Sequence, residues 1–251
     1  MKRDTIYIYG KHAVLEAAAH APHTIKKIFL SDDSAVDQEL SRSIQKAGIA
    51  ISRVRAREIG KTVGESATHQ GIIASISPEK LMHPFSDFIS TTPLSGGTAL
   101  LLLDGLEDPH NVGAVIRSAA AFGISAVLIP ERRQAPLTGA VIKVSAGMAF
   151  RVPLVSIGGA TTAVIELQKA GFKIYALTMD GELLVSKEDF SAPSVFVIGN
   201  ESAGISAKVV ERADSRLRIP MNARTESLNA AVSAAIVMYE WSTQHPEALR
   251  I

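Results

Sequence analysis

Two continuous apolar runs constrain the fold of this chain more than any other feature of its sequence. Residues 100–103 read Leu-Leu-Leu-Leu, and residues 195–198 read Val-Phe-Val-Ile. A strand with one face in water alternates polar and apolar residues, whereas a strand without polar positions is covered by helices on both faces, as in parallel sheets. The sequence therefore predicts a doubly wound α/β sheet with a ligand site at the C-terminal ends of its strands.

The 251 residues divide at a segment with weak periodicity. Residues 78–97 hold three Pro and a Ser-Gly-Gly, which is typical of a linker. Residues 1–77 alternate short strands and helices and predict a small α/β domain, while residues 98–251 form the predicted second domain. Because 47% of the residues are hydrophobic and 20% are charged, the composition excludes a disordered chain.

The hydrophobic periods predict individual elements in both domains. In the first domain, strands are expected at 6–9, 25–30, 49–54 and 71–77, and helices at 11–20, 36–47 and near residue 57. In the second, strands at 99–103, 126–129, 152–155, 173–178, 194–198 and 216–219 alternate with helices at 111–122, 137–146, 160–170, 207–212 and 227–241.

The composition excludes several kinds of site. There is no cysteine, so disulfides, thiolate metal ligands and thiol nucleophiles are absent. The seven histidines form no H-E-x-x-H motif, and we expect no metal. No apolar run approaches the roughly 20 residues of a membrane span, and the N-terminus lacks the apolar core of a signal peptide. We expect a cytoplasmic protein without a membrane partner.

The loop after the first apolar run carries a candidate functional group. Asn111, Gly113 and Arg117 lie on the helix that follows it. Gly113 and Arg117 are four residues apart and share a helix face, so another molecule can approach the glycine beside the arginine. Asp108-Pro109 is equally typical of an ordinary helix start.

Two further loops follow predicted strands. Residues 199–204, Gly-Asn-Glu-Ser-Ala-Gly, lack the Gly-Lys-Ser/Thr of a phosphate-binding loop, and no G-x-G-x-x-G follows any strand. A tight turn in which Glu201 caps the next helix is the structural alternative. Residues 219–221, Ile-Pro-Met, precede Ser227-Leu228-Asn229 at the start of the last helix. Ser227 is a candidate N-cap, whereas Asn229, one turn inside an apolar helix, needs hydrogen-bond partners.

Together these segments resemble the three motifs of the SpoU (TrmH) family of ribose 2′-O-methyltransferases, within the SPOUT superfamily. Asn-x-Gly-x-x-x-Arg at 111–117 is similar to the first motif, Gly-Asn-Glu-x-x-Gly at 199–204 to the second, and Ile-Pro-Met with Ser-Leu-Asn to the third. Ser-Ala-Gly at 145–147 also matches. Residues 9–17 and 69–72 resemble the N-terminal RNA-binding domain of the subgroup that methylates a guanosine of 23S ribosomal RNA.

The resemblance implies a C-terminal domain with a deep trefoil knot that binds S-adenosylmethionine and pairs as a homodimer. It also implies a first domain that resembles ribosomal proteins and binds the RNA substrate. The implied cofactor-binding residues are Leu177, Thr178, Gly199, Ile219, Met221 and Leu228, and the implied catalytic residues are Asn111, Arg117, Glu201 and Asn229. Ala223 and Ala230 depart from the third motif, which usually has Gly and Val there, and this alters loop shape or packing.

We expect methylation of a ribose 2′-hydroxyl, with 23S ribosomal RNA favoured over transfer RNA. Arg117 would grip an RNA phosphate and stabilise the developing alkoxide, while Glu201 and Asn229 orient Arg117 or the ribose. A non-catalytic RNA-binding assembly factor and an enzyme acting on a small nucleotide remain alternatives.

The sequence does not decide the roles of two surfaces. The charge pattern suggests phosphate contacts in the first domain at Lys26, Lys27, Arg53 and Arg55. The last helix presents an apolar face, formed by Val232, Ile236, Met238 and Trp241, that belongs either to the core or to a dimer interface.

Overall fold

The computed structural model describes residues 5–34, 38–64 and 67–249. In chain order, its elements begin with β1 (Ile6–Tyr9), α1 (Lys11–His20), β2 (Ile25–Ser31), α2 (Gln38–Ala47), β3 (Ile51–Val54), α3 (Ala56–Val63), β4 (Ile72–Ile76), β5 (Met82–Pro84) and α4 (Phe85–Thr91). They continue with β6 (Ala99–Asp104), α5 (Pro109–Ala121), β7 (Ala126–Pro130), α6 (Gly139–Val144), β8 (Leu154–Ile157), α7 (Ala160–Lys169), β9 (Lys173–Leu177), β10 (Leu183–Leu184), β11 (Ser194–Gly199), α8 (Ala207–Val210), β12 (Ser215–Arg218) and α9 (Ala230–Gln244). Within the described ranges, no helix has the length and apolar character needed to cross a membrane.

The chain divides into two compact units, of which the first comprises residues 1–82 together with residues 137–151. This unit contains a four-stranded sheet in the order β1-β4-β2-β3. Strand β4 is antiparallel to both of its neighbours, whereas β2 and β3 are parallel. The strand predicted from residue 49 begins at residue 51, and the predicted start of α2 at residue 36 lies outside the described residues.

Two distant segments of the sequence meet at the start of α1. Gly10, the N-cap residue, has no side chain that could accept a hydrogen bond from the first turn. Gln70 supplies this acceptor, because its Oε1 accepts a hydrogen bond from the backbone amide of Lys11 at 3.0 Å. The amide of Gly10 also donates to the carbonyl oxygen of Ile72 at 3.2 Å. The segments at 9–17 and 69–72 therefore form one structural feature.

Residues 137–151, which the sequence analysis assigns to the second domain, group with the first unit. Arg151 donates hydrogen bonds from Nε and Nη2 to the two carboxylate oxygens of buried Glu16, at 2.6 and 2.9 Å. Gly147 has a φ of +80°, and a Cβ there would lie 2.7 Å from Cγ of Glu16, so glycine is required. The contacts join residues 135 positions apart, and such contacts leave no periodic signal in the sequence.

The second unit, residues 83–136 and 152–251, is built on an eight-stranded sheet in the order β10-β12-β9-β11-β6-β7-β8-β5. All neighbouring strands from β10 to β8 are parallel. The two apolar runs lie side by side at the centre, where Leu100 is opposite Val195 and Leu103 is opposite Ile198. The parallel α/β sheet predicted from these runs is confirmed.

Alternate residues of β6 are buried on opposite faces of the sheet. Leu100 and Leu102 belong to a core cluster that includes residues of α7 and α8. Leu101 and Leu103 point to the other face and are also fully buried. On that face, α9 packs against β11, and α5 packs against β7 and α9. Helices therefore cover both faces of the central strands.

The segment at 78–97, predicted as a linker, contains the seven-residue helix α4. Phe85, Phe88 and Ile89 of this helix pack against the core cluster of the second unit. A helix of two turns is too short to produce a recognisable apolar period, which is why composition alone suggested a linker.

The last helix differs from its predicted bounds and faces. It begins at Ala230 rather than Ser227, because the side chain of Asn229 caps it. Met238 and Trp241 are fully buried in the core, whereas Val232 is 47% exposed. The apolar residues that the sequence grouped on one face therefore divide between the core and the surface.

Candidate active site

A pocket opens at the C-terminal ends of β9, β11 and β12, the edge expected to bind ligands in a parallel sheet. The residues implied for cofactor binding all line it, namely Leu177, Thr178, Gly199, Ile219, Met221 and Leu228. Three separate loops thus bring the implied residues to one place. Their role in binding stays a prediction.

The pocket wall combines apolar side chains with a polar group that lacks a partner. Ile198 and Ile205 add to its apolar lining. The hydroxyl oxygen of Thr178 is buried and has no hydrogen-bond partner within the described part of the chain. A buried hydroxyl without a partner costs free energy, so this group is available to a polar atom of a ligand. The wall suits a largely apolar ligand with a few polar atoms.

The loop at 199–204 is shaped by Asn200, whose role the sequence analysis missed. Its Oδ1 accepts hydrogen bonds from the amides of Ser202 and Ala203, both at 2.9 Å. Its Nδ2 donates to the carbonyl oxygen of Gly105 at 2.7 Å. Asn is typical of turns in which a side chain accepts hydrogen bonds from the following amides, so its presence at position 200 could have indicated this role. Asn200 therefore holds the loop after β11 against the loop after β6.

Three predicted catalytic residues form one hydrogen-bonded chain. Asn229 Oδ1 accepts from the amides of Ala231 and Val232, so its Nδ2 must be the group that meets Asn111. This Nδ2 donates to Asn111 Oδ1 at 2.9 Å, and Asn111 Nδ2 donates to Glu201 Oε1 at 2.8 Å. The first turn of α9 thereby fixes the orientation of both amides and the position of the carboxylate.

The hydrogen bonds to Glu201 keep its carboxylate ionised. Burial raises the pKa of this group, but the hydrogen bonds donated by Asn111 and by backbone amides, including those of Glu107 and Asp108, outweigh it. The pKa of Glu201 therefore lies below its ordinary value. An ionised carboxylate with a lowered pKa is a poor proton acceptor and is better suited to positioning its neighbours.

Arg117 lies outside this chain of hydrogen bonds. It is exposed on α5, and within the described residues no hydrogen-bond acceptor or carboxylate pairs with it. Glu201 and Asn229 are hydrogen-bonded to Asn111 and not to Arg117, and their predicted role in orienting Arg117 or the ribose stays a prediction. The guanidinium is left available to another molecule.

The cations predicted to contact RNA differ in their surroundings in the first unit. Arg53 Nη1 donates to the carbonyl oxygens of Ser31 and Ser34, both at 2.9 Å, and so stabilises a loop. Lys27 Nζ lies 5.4 Å from the ring centroid of Phe29. Arg55 is exposed at the start of α3. Arg53 thus has a structural role that its charge alone did not suggest.

The lowered pKa of Glu201 predicts an acid-sensitive contribution to stability. This contribution is present above the ordinary carboxyl pKa of about 4.3 and is lost as pH falls through the lower folded value. Glu201→Gln should reduce the free energy of unfolding by about 1 kcal/mol at pH 7, a figure discounted for exposure. The difference from wild type should shrink below about pH 4. Urea unfolding at several pH values measures it.

Glu107→Gln is the matched control, since the Glu107 carboxylate is exposed and its side chain has no hydrogen-bond partner in the described residues. It should leave the unfolding free energy nearly unchanged. A difference for Glu201→Gln that stays constant down to pH 3.5 would contradict the role of the ionised carboxylate.

Comparison with known proteins identifies two family models along the chain. The model described as the SpoU rRNA Methylase family matches residues 98–239, and that described as RNA 2′-O ribose methyltransferase substrate binding matches residues 7–82. An uncharacterized tRNA/rRNA methyltransferase of Mycolicibacterium vanbaalenii is 38% identical, over 98% of this chain and 78% of that protein. A protein of Staphylococcus haemolyticus assigned to the TrmH family of tRNA/rRNA methyltransferases is 33% identical, over 94% of this chain and 95% of its own length.

Solved structures share the fold. The SpoU methyltransferase AviRb from Streptomyces viridochromogenes, in complex with AdoMet, has a TM-score of 0.81 at 22% identity, covering 97% of this chain and 91% of that one. The AdoMet-bound rRNA methyltransferase from Sinorhizobium meliloti has a TM-score of 0.80 at 23% identity, covering 96% and 88%. With a family model over more than half of its length and a relative of 38% identity along nearly all of it, the chain belongs to the SpoU rRNA methylase family.

Proposed function

We propose that this protein transfers a methyl group from S-adenosylmethionine to a ribose 2′-hydroxyl of RNA, with a guanosine of 23S ribosomal RNA as the target. The observation that carries the proposal is that all six implied cofactor residues line one pocket, with Glu201 of the hydrogen-bonded chain also in its wall. The family match to an RNA-substrate-binding model over residues 7–82 supports an RNA substrate.

The pocket fits the cofactor chemically. The apolar side chains of Leu177, Ile219, Met221 and Leu228 would pack against the nucleoside and the carbons beside the sulfonium, and the free hydroxyl of Thr178 would bind a polar atom. When bound, S-adenosylmethionine would supply a sulfonium methyl group, whose carbon a ribose 2′-oxygen attacks in line while the neutral thioether leaves and the hydroxyl proton is released. The AdoMet complexes of AviRb and of the Sinorhizobium meliloti enzyme, which share the fold, support this choice of ligand.

The chain's own residues then position the RNA. The guanidinium of Arg117 is positively charged and donates several hydrogen bonds, so it would bind an RNA phosphate and stabilise negative charge on the 2′-oxygen. Asn111, Glu201 and Asn229 hold one another in fixed orientations, and this chain presents the amide and carboxylate groups to the ribose. Most of the acceleration would come from this alignment of the reacting atoms.

We further propose the deep trefoil knot and the homodimer that the family resemblance implies. The family model that matches residues 98–239 supports the first, and the exposed Val232 and Tyr239 on α9 support the second. Exposed apolar side chains on one helix are typical of an interface between protein copies.

Methyl transfer from labelled S-adenosylmethionine to unmodified 23S ribosomal RNA and transfer RNA, assayed in parallel, tests the proposal. We expect 2′-O-methylguanosine in 23S ribosomal RNA, identified by mass spectrometry. Label in transfer RNA alone would keep the enzyme and overturn the target. Absence of label together with absence of cofactor binding would favour an RNA-binding assembly factor.

Two substitutions of Asn229 separate its structural role from its role in the site. Asn229→Ala removes the cap of α9 and should lower the free energy of unfolding by about 1 kcal/mol. Asn229→Ser keeps a capping oxygen but removes the amide that donates to Asn111, so stability should change little. Methyl transfer by the Ser variant should nevertheless fall about tenfold, the equivalent of one hydrogen bond in the transition state. Wild-type turnover of the Ser variant would contradict the role of the hydrogen-bonded chain.

A further inference from the structure

The loop after β7 is joined to the loop after β6. We call residues 131–136, Glu-Arg-Arg-Gln-Ala-Pro, the β7 loop. Gln134 Oε1 accepts a hydrogen bond from the amide of Leu106 at 3.0 Å. The amide of Ala135 donates to the carbonyl oxygen of Leu106 at 2.8 Å. Two hydrogen bonds to one residue therefore fix the β7 loop at the edge of the sheet where the strands end.

The β7 loop also lies close to the wall of the pocket. A Cβ built on Gly105 would lie 3.4 Å from the carbonyl oxygen of Arg133. The carbonyl oxygen of Gly105 accepts the hydrogen bond from Asn200, and Asn200 lines the pocket. Gly105 therefore lies between the backbone of Arg133 and Asn200 in the pocket wall.

Two guanidinium groups of the β7 loop have no partner within the protein. Arg132 and Arg133 are exposed, and neither forms a hydrogen bond or ion pair through its side chain within the described residues. The neighbouring Glu131 accepts a hydrogen bond from Ser156 Oγ at 3.3 Å. Neither guanidinium group is therefore paired with a carboxylate of the described residues.

The backbone at Arg133 is held in an unfavourable conformation. Its φ is +55°, in the left-handed region that non-glycine residues rarely adopt. Such a conformation costs about 1 kcal/mol or more and persists only where the surrounding structure enforces it. Here the bonds of Gln134 and Ala135 to Leu106 hold the backbone, so the loop fixes the point from which the arginine side chain extends.

The carboxylates near this edge are mostly occupied. Asp108 accepts from the amide of His110 at 2.8 Å, and Glu201 accepts from Asn111 and from two backbone amides. The side chain of Glu107, in the loop after β6, is exposed and accepts no hydrogen bond within the described residues. These carboxylates keep their charge, but none of them pairs with Arg132 or Arg133 in the described part of the chain, so both guanidinium groups are available to a phosphate.

We propose that Arg132 and Arg133 bind the phosphates of the RNA strand that flank the methylated nucleotide, and so position the ribose over the pocket. This inference rests on the proposed function, because it assigns RNA contacts to the catalytic unit itself. Arginine suits this role because its planar guanidinium can bind a phosphate through two hydrogen bonds. The contacts would bind RNA backbone and would carry no base specificity.

The test compares RNA binding by Arg132→Ala/Arg133→Ala with that by wild type, using an unmodified 23S ribosomal RNA transcript at several salt concentrations. We expect the dissociation constant to rise about tenfold, and the slope of log affinity against log salt to fall by about 1.5, as expected for two lost phosphate contacts. The dissociation constant for S-adenosylmethionine should stay unchanged. In methyl transfer, KM for RNA should rise more than kcat falls.

Lys169→Ala/Arg212→Ala is the matched control. Both residues are exposed, both precede strands at the opposite edge of the same sheet, and the double variant has the same net charge as the test variant. It should bind RNA as wild type does. A second variant, Arg132→Lys/Arg133→Lys, keeps both charges and should retain most of the salt dependence.

The outcomes separate this inference from the proposed function. If the wild type methylates RNA and the Ala double variant matches the control in affinity and salt slope, the inference is overturned while the function stands. If the wild type binds RNA through these residues but transfers no methyl group, the function is overturned while the contacts stand. A wild type that does not bind RNA overturns both.

Discussion

Arg117→Ala should reduce kcat for RNA methylation by about 10²- to 10³-fold, the usual effect of removing one group that stabilises developing negative charge. The side chain is exposed on α5 and has no partner within the described residues, so its loss should not change the thermal stability. It does not line the cofactor pocket, and S-adenosylmethionine should bind with unchanged affinity. Single-turnover methyl transfer, together with calorimetric binding of the cofactor, separates these effects.

Arg117→Lys tests how the charge acts. A compact ammonium keeps the positive charge but cannot make the paired hydrogen bonds of a guanidinium. We therefore expect kcat of this variant to be about tenfold below that of wild type. Arg212→Ala, which removes an exposed cation from the opposite edge of the sheet, should behave as wild type. If Arg117→Lys turns over at the wild-type rate, the planar guanidinium is not required and a simple electrostatic role replaces it.

The central sheet could be predicted because its sequence signal is local. Four consecutive apolar residues place apolar side chains on both faces of a strand, so neither β6 nor β11 can have one face in water. The two strands indeed pair at the centre of a parallel sheet. The location of the pocket followed from the same argument, since parallel strands direct the loops at their C-terminal ends to one edge. The identity of the ligand did not follow from periodicity. It came from the resemblance of three motifs.

The hydrogen-bonded chain could not be predicted because its members are far apart in sequence. Asn111 and Asn229 are separated by 118 residues, and Asn111 and Glu201 by 90. The sequence pattern predicts Asn229 inside a helix, where its side chain would need a hydrogen-bond partner. The structure shows that the same side chain caps the N-terminus of the helix: its oxygen accepts hydrogen bonds from two amides and its nitrogen donates one to Asn111. Only the fold brings these groups within hydrogen-bonding distance.

The unit to which residues 137–151 belong also depends on contacts between residues that are distant in the sequence. Their pattern of strand and helix fits the second domain, and they lie between strands of its sheet in the sequence. Their buried contacts, however, are with α1 and β1 of the first unit, through Arg151, Gly147 and α6. Within the Ser-Ala-Gly at 145–147, this packing explains the glycine, because Gly147 has a positive φ and a Cβ there would overlap the side chain of Glu16.

Gly199→Ala should abolish cofactor binding at the concentrations that saturate wild type and lower the free energy of unfolding by about 2 kcal/mol. A Cβ at this position would overlap the backbone of Gly204 and Ile205, and it would lie 2.6 Å from the carbonyl oxygen of Gly204. Backbone atoms cannot rotate away, so the loop at 199–204 would have to move. That loop carries Asn200 and Glu201, and its displacement would disrupt both the pocket wall and the hydrogen bond to Asn111.

The requirement at Gly199 is for space and not for backbone freedom, because its φ lies outside the left-handed region. Gly158→Ala is therefore the appropriate control, since a Cβ there meets no atom within 4 Å and its φ is likewise unrestricted. The control should bind S-adenosylmethionine and unfold as wild type does, as measured by isothermal titration calorimetry and urea denaturation. Should Gly199→Ala keep the wild-type affinity, the loop would have to relax without loss of the pocket, and the close packing of β11 against residues 204–205 would not be what shapes the site.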